Sequence, residues 1–119
     1  MNQADLASNV NASPQPTKEE FFYSQMLMIR KAEETFLDLF SKGLLNGTVH
    51  TCIGQEACAV GVVNALHKSK DIVVSNHRGH GHFLSYTDDI GGLVAELLGC
   101  TTGACEGIAG SQNLLAATR

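Results

Sequence analysis

No stretch of this chain is basic enough to track a phosphate backbone. Eight Lys and Arg stand against twelve Asp and Glu, for a net charge of -4, and none of the basic residues gather into a stripe. Nucleic acid and anionic membrane are therefore excluded as the main partner. No apolar run approaches the eighteen or so residues that a membrane span needs. The start lacks the basic and apolar regions of a secretory signal, and residues 1–16 hold neither Lys nor Arg but do hold Asp5, which a mitochondrial transit peptide avoids. These absences leave a soluble chain with the cytoplasm as its default compartment. Walker loop, Gly-x-Ser-x-Gly elbow and Gly-x-Gly-x-x-Gly fingerprint are missing as well, so nucleotide binding through those folds has no support.

What is present suffices for one small domain: 119 residues, 44% of them hydrophobic, too apolar for an intrinsically disordered chain. Residues 1–16, rich in Asn, Ser, Ala, Gln and Pro, read as a disordered arm. Four cysteines, Cys52, Cys58, Cys100 and Cys105, are spaced with five and four residues inside each pair and form no Cys-x-x-Cys knuckle. Zinc held by these and the histidines is thus the weaker chemistry, and Cys58 among small neighbours reads as a buried hydrophobe.

Order is expected from Thr17. Thr17-Lys18-Glu19-Glu20 has the pattern of a capping box. Phe22, Met26, Ile29, Phe36, Leu37 and Phe40 follow at helical spacing, with Arg30, Lys31, Glu34 and Asp38 on the solvated face and Gly43 placed as a left-handed cap. Leu44 to Ile53 has no sustained period and reads as a loop. Gly54 to about Leu66 reads as a second helix, apolar all round and small at Ala57, Cys58, Ala59 and Gly61, hence buried and closely approached. Ile72-Val73-Val74 reads as a short buried strand. Asp88 and Asp89 precede a helix over Leu93 to Leu98 that Gly99 closes.

The chemistry concentrates in Asn76-His77-Arg78-Gly79-His80-Gly81-His82, read as a loop delivered from the carboxyl end of that strand, where ligands collect in open α/β folds. Arginine offers a planar donor fork to phosphate, imidazoles exchange protons near neutral pH, and the glycines admit close backbone approach. An anion site is the reading that follows. His50 is a second candidate, six residues before Glu56. Glu56 is open between a general base, a partner for an Arg such as Arg78, and a carboxylate complementing a helix N-terminus.

Taken in order, Met26-Leu27-Met28-Ile29-Arg30-Lys31 with Glu33-Glu34, His50 with Ile53-Gly54-Gln55-Glu56-Ala57, His77-Arg78-Gly79-His80-Gly81, and Ala95-Glu96-Leu97-Leu98-Gly99 closely resemble the alpha subunit of thiamin-diphosphate-dependent 2-oxo acid dehydrogenases. Pyruvate, branched-chain and acetoin dehydrogenase first components belong to that family. The resemblance implies an α/β fold of which residues 17–119 would be the N-terminal, mainly helical part, with a parallel sheet incomplete in this chain. It implies oxidative decarboxylation of a pyruvate-like 2-oxo acid, with acyl transfer to a lipoyl carrier. Carried over by position, His77 and Arg78 contact thiamin diphosphate, Arg78 on the diphosphate, while His50 is the catalytic pocket histidine beside the substrate. His80 and His82 keep structural roles, and Gln55 and Glu56 are scaffold.

The same resemblance implies partners: a beta subunit, an alpha2beta2 assembly and a lipoyl acyltransferase component. It also implies magnesium, through a Gly-Asp-Gly motif and a later Asn expected beyond residue 119, because no Gly-Asp pair occurs in the chain. The family's Gly-Lys-Gly-Gly-Ser-Met-His segment appears as Gly107-Ile108-Ala109-Gly110-Ser111-Gln112-Asn113, without its Lys and His. On this reading the chain alone is inactive. The alternative of another class is a non-catalytic truncated paralogue that acts as an interaction module.

Overall fold

The computed structural model describes residues 14–45 and 47–115. The first thirteen residues of the expected arm lie outside them. Four helices follow in order: α1 Lys18–Ser41, α2 Glu56–Asn64, α3 His80–Thr87 and α4 Ile90–Leu97. None of them is long and apolar enough to cross a membrane.

Helix α1 begins where the capping box places it. The Thr17 hydroxyl accepts from the Glu20 amide at 3.2 Å, and the Glu20 carboxylate accepts from the Thr17 amide at 2.8 Å. At the other end Lys42 caps the helix and Gly43 follows with φ +69°, the left-handed exit expected of it. The buried positions of α1 are Gln25, Ile29, Ala32, Glu33 and Phe36. This stripe differs from the expected one at both its polar and its apolar ends. Leu37 and Phe40 remain exposed, whereas Glu33 is wholly buried.

Ile29 and Phe36 meet Val60 of α2, Leu84 of α3 and Leu93 of α4 in one core. Burial of each such side chain contributes about 1.5–3 kcal/mol. Helix α2 buries only Glu56, Ala59, Val60 and Val63. Ala57, Cys58, Gly61 and Val62 face outward, so the expectation of a helix covered on all sides is corrected. Cys58 is exposed, and the buried cysteine is Cys52. Small residues matter at another contact. A Cβ on Gly81 of α3 would stand 3.0 Å from the Ala59 Cβ and 3.1 Å from the Cys52 Sγ.

The expected buried strand is not formed. Ile72 to Asn76 carries no regular assignment, and Ile72 and Val74 are 86% and 93% exposed. No second strand stands among the described residues, and without a neighbour an extended run has no ladder to complete. The mainly helical character is seen, and the α/β architecture is not. The histidine run also ends differently from expectation. Gly79 is the N-cap of α3, so His80, Gly81 and His82 form its first turn.

Candidate functional site around His50 and His77

Two segments meet at the site. One is Val49 to Gly54, leading into α2, and the other is the turn Asn76 to Gly79, leading into α3. The rings of His50 and His77 touch edge to face, with centroids 4.5 Å apart and planes at 62°. Arg78 next to them holds φ +62°, a left-handed conformation that costs a non-glycine residue on the order of 1–3 kcal/mol and persists only where its surroundings fix it. Two features fix it. The Arg78 guanidinium donates through Nη1 to the Thr51 carbonyl, stapling the turn onto the His50 segment. A side chain at Gly79 would meet the Asn76 carbonyl at 2.8 Å and the Ser75 hydroxyl at 3.0 Å, so the turn needs glycine.

His77 and Arg78 are exposed and His50 is half-buried. The pair and the guanidinium form an open, cationic and proton-exchanging corner, suited to the anionic end of a ligand. His50, His77 and Arg78, three residues that the sequence singles out, are thus brought together. His80 and His82 are turned away from the corner. His82 Nδ1 lies 2.8 Å from the Ser75 hydroxyl, and His80 is fully buried.

Below this corner sits Glu33, a carboxylate that carries part of the family resemblance but has no role assigned from the sequence. Glu33 Oε1 accepts from the Cys52 amide at 3.2 Å and the Cys52 thiol at 3.0 Å, and it lies 2.9 Å from His80 Nδ1. Nε2 of the same ring lies 2.8 Å from the Ser111 hydroxyl, and the ring stands edge-on to Phe36. Burial, with the Glu33 carboxylate second, pushes the Cys52 thiol up to about 12. It stays a protonated donor, a poor metal ligand and a poor nucleophile. Among the described residues no group of three or more His, Cys, Asp or Glu side chains is arranged to hold a metal ion.

Glu56 pairs with Arg30, Nε to Oε1 at 2.6 Å, and also accepts from the Gly54 amide. Of the three readings open for it, the partnership with Arg78 is not what forms. The hydrogen bond from Arg30 holds its carboxyl below the ordinary range. It anchors the entry of α2 and stands back from the corner. A further carboxylate, Glu96, organises the tail. It is buried and accepts from the amides of Cys105, Gly107, Ala109 and Gly110 at 2.7, 2.9, 2.7 and 3.2 Å. Burial alone would raise its pKa, but these four donors outweigh that and hold it low.

Glu33 and Glu96 share a recoverable signal. Each lies at helical spacing from buried apolar residues, Glu33 four after Ile29 and three before Phe36, and Glu96 three after Leu93. A carboxylate on the buried stripe must find donors, and sequence position alone does not name them. A cleft of about 610 Å³ runs along Ile72 to Asn76, with His82, Phe83 and Ser111 on its far wall. His50, His77 and Arg78 do not line it, but Asn76 and Gly79 of the same turn do, so it adjoins the corner from the other side of that turn.

Residues 24–118 match the dehydrogenase E1 component family. The chain belongs to that family. It is 43% identical over 97 residues to the alpha subunit of acetoin:2,6-dichlorophenolindophenol oxidoreductase of Bacillus subtilis, a match covering 82% of this chain and 29% of that protein. It is 44% identical over 93 residues to the pyruvate dehydrogenase E1 component subunit alpha of Zymomonas mobilis, covering 78% and 26%. A third relative, the chloroplastic subunit alpha-3 of pyruvate dehydrogenase E1 from Arabidopsis thaliana, is 38% identical over 109 residues, covering 90% and 25%. The chain therefore spans less than a third of the length of these relatives.

Proposed function

We propose that this chain supplies one wall of a thiamin diphosphate site in the alpha subunit of a 2-oxo acid dehydrogenase first component. The observation that carries the reading is the joining of His50, His77 and Arg78 in one corner through the ring contact and the Arg78 to Thr51 staple, in a chain of this family. The donor set fits the diphosphate half of the cofactor: an exposed guanidinium on a rigid turn, with an imidazole beside it. Arg78 would hold the diphosphate and His77 would contact the cofactor. Bound there, thiamin diphosphate supplies the carbanion chemistry that lets a 2-oxo acid lose carbon dioxide.

The chain's own part is to bind and to move protons. Half-buried beside His77, His50 can orient a 2-oxo acid and exchange a proton through its imidazole. Arg78, pinned by Thr51, keeps its charge in one place and so loses little freedom on binding. Residues 17–119 would form the N-terminal part of the cofactor-binding domain. Ile72 to Val74 would become a strand of a parallel sheet once neighbouring strands are supplied. Magnesium would be held by residues outside this sequence, and a beta subunit in an alpha2beta2 assembly, with a lipoyl acyltransferase as acyl acceptor, would complete the enzyme.

Calorimetry with thiamin diphosphate and magnesium tests the reading. Heat of binding in the wild-type chain paired with a beta subunit, lost in Arg78→Ala, is expected. Equal binding by wild type and Arg78→Ala would sink it. The interaction-module reading draws on exposed apolar side chains, Val62 at 59% and Leu44 at 56%. Gel filtration separates the two: association with a beta subunit without any cofactor binding favours the module.

A further inference from the structure

Two segments carry the proposed site, and one atom is bonded to both. Glu33 Oε1 takes the Cys52 amide, two residues from His50, and faces His80 Nδ1, three residues from His77 and two from Arg78. The carboxylate arrives from α1, a third element, and is 0% exposed, as is His80. Oε1 therefore fixes the spacing between the Val49 to Gly54 segment and the start of α3 from beneath, while the Arg78 to Thr51 bond fixes it at the surface.

The geometry points to Glu33 as a positioning residue for the site: its buried carboxylate sets the His50 to His77 distance through Cys52 and His80. This rests on the reading of His50, His77 and Arg78 as cofactor-site walls. An ionised carboxylate only accepts, so opposite Glu33 Oε1 the His80 ring would present Nδ1–H as the donor. Nε2 then accepts from the Ser111 hydroxyl. Ser111 thereby closes the outer end of the relay, and the ring cannot rotate without losing both partners. Serine, histidine and glutamate stand here in the order of a hydrolytic triad, but the inner end is committed to Cys52, so the relay works as a clamp. Oε2 of Glu33 has no hydrogen-bond partner among the described residues.

NMR on the whole 119-residue chain tests this, first in wild type. A slowly exchanging imidazole proton on His80 Nδ1 and a cross-relaxation peak between the His50 and His77 rings are expected, and the absence of either overturns the proposal. In Glu33→Gln the carboxamide keeps an acceptor and the fold. The His50–His77 peak is expected to fall at least twofold while the signals of Ile29, Val60 and Leu84 stay in place. An undiminished peak overturns the positioning role. In Glu33→Ala the peak should vanish, and Glu33→Gln should restore part of it, which a general loss of stability would not do. Thiamin diphosphate and magnesium added to the same samples keep the two ideas apart. A wild-type chain that shows the paired rings but binds no cofactor with its beta partner refutes the cofactor reading and leaves Glu33 as the positioning residue.

Discussion

Two buried glutamates organise two regions of this small chain in opposite ways. Glu96 is satisfied by its own neighbourhood: four amides from the stretch between Cys105 and Gly110 close on both its oxygens. Glu33 reaches instead across three elements, loads one oxygen with partners from Cys52 and His80, and has no partner on the other among the described residues. The first arrangement is a local staple for a glycine-rich tail. The second ties distant segments together and accepts an imperfect hydrogen-bond count to do so. A carboxylate whose partners all lie within fourteen residues holds a loop, whereas one whose partners lie nineteen and forty-seven residues away holds separate segments together.

The largest effect is expected where the comparison is most lopsided. Glu96→Ala removes an ionised acceptor from four amides at once, and each buried donor left without a partner costs about 1–3 kcal/mol. With partial access of water, a loss of about 4 kcal/mol is expected in urea unfolding. If the variant unfolds with the wild type, the staple has been misread. Gly103→Ala attacks the same region through sterics. Its Cβ would stand 2.6 Å from both the Cα and Oε2 of Glu96, and about 2–3 kcal/mol is expected from such overpacking. Glu33 and Glu96 share no direct partner, but Gly110 on Glu96 adjoins Ser111 on His80, so either change is expected to reach the Glu33 region only through Ser111.

Glu33→Ala strands the Cys52 amide and His80 Nδ1 and opens a void beside Phe36. About 3 kcal/mol is expected by denaturant titration. The functional readout should separate the regions more sharply than stability does. At matched destabilisation, loss of thiamin diphosphate affinity belongs to Glu33→Ala and not to Gly103→Ala. Equal losses would mean that both carboxylates serve only the fold.

Acid offers a further separation. Glu96 is held low by its four amides against the pull of burial, and Glu56 is held low by Arg30. A carboxyl whose folded pKa lies below its unfolded value, near 4.5, binds its proton more readily when unfolded. Its stabilisation is therefore fully present above about pH 4.5 and lost as pH falls through the folded value. Unfolding midpoints measured down to pH 3 should fall for wild type and fall less steeply for Glu96→Gln. The same slope in both would remove Glu96 from the acid response.

How far the sequence discloses this structure follows the range of the interactions involved. The capping box at Thr17, the exit at Gly43 and the cap at Asp89 are short-range, written within four residues, and all three form. The corner of His50, His77 and Arg78 was legible by resemblance, since composition shows a site-like run but no distance between its members. Glu33 and Glu96 were legible only as carboxylates at buried spacing. Their donors are backbone amides and a distant imidazole, and no sequence pattern names those. The Ile72 to Val74 run shows the opposite failure. Its β-branched residues fit a strand, but a strand depends on neighbours, and none stand among the described residues.

The smallest change provides the baseline on which the others are read. Thr17→Ala removes the hydroxyl that accepts from the Glu20 amide, and a lost cap costs about 1 kcal/mol. The cap is exposed and sits at the far end of α1 from Glu33, more than four turns away by the usual rise. Because α1 carries Glu33 into the core, fraying its first turn tests whether the helix must be anchored at its start to position the carboxylate. The expected answer is that it need not be. Ile29 and Phe36 flank Glu33 and are buried, so they hold that turn of α1 by packing. Thr17→Ala should lower stability by about 1 kcal/mol and leave the His50–His77 contact intact. A weakened contact would show that the site depends on the whole length of α1, and the clamp could no longer be assigned to Glu33 and its immediate neighbours.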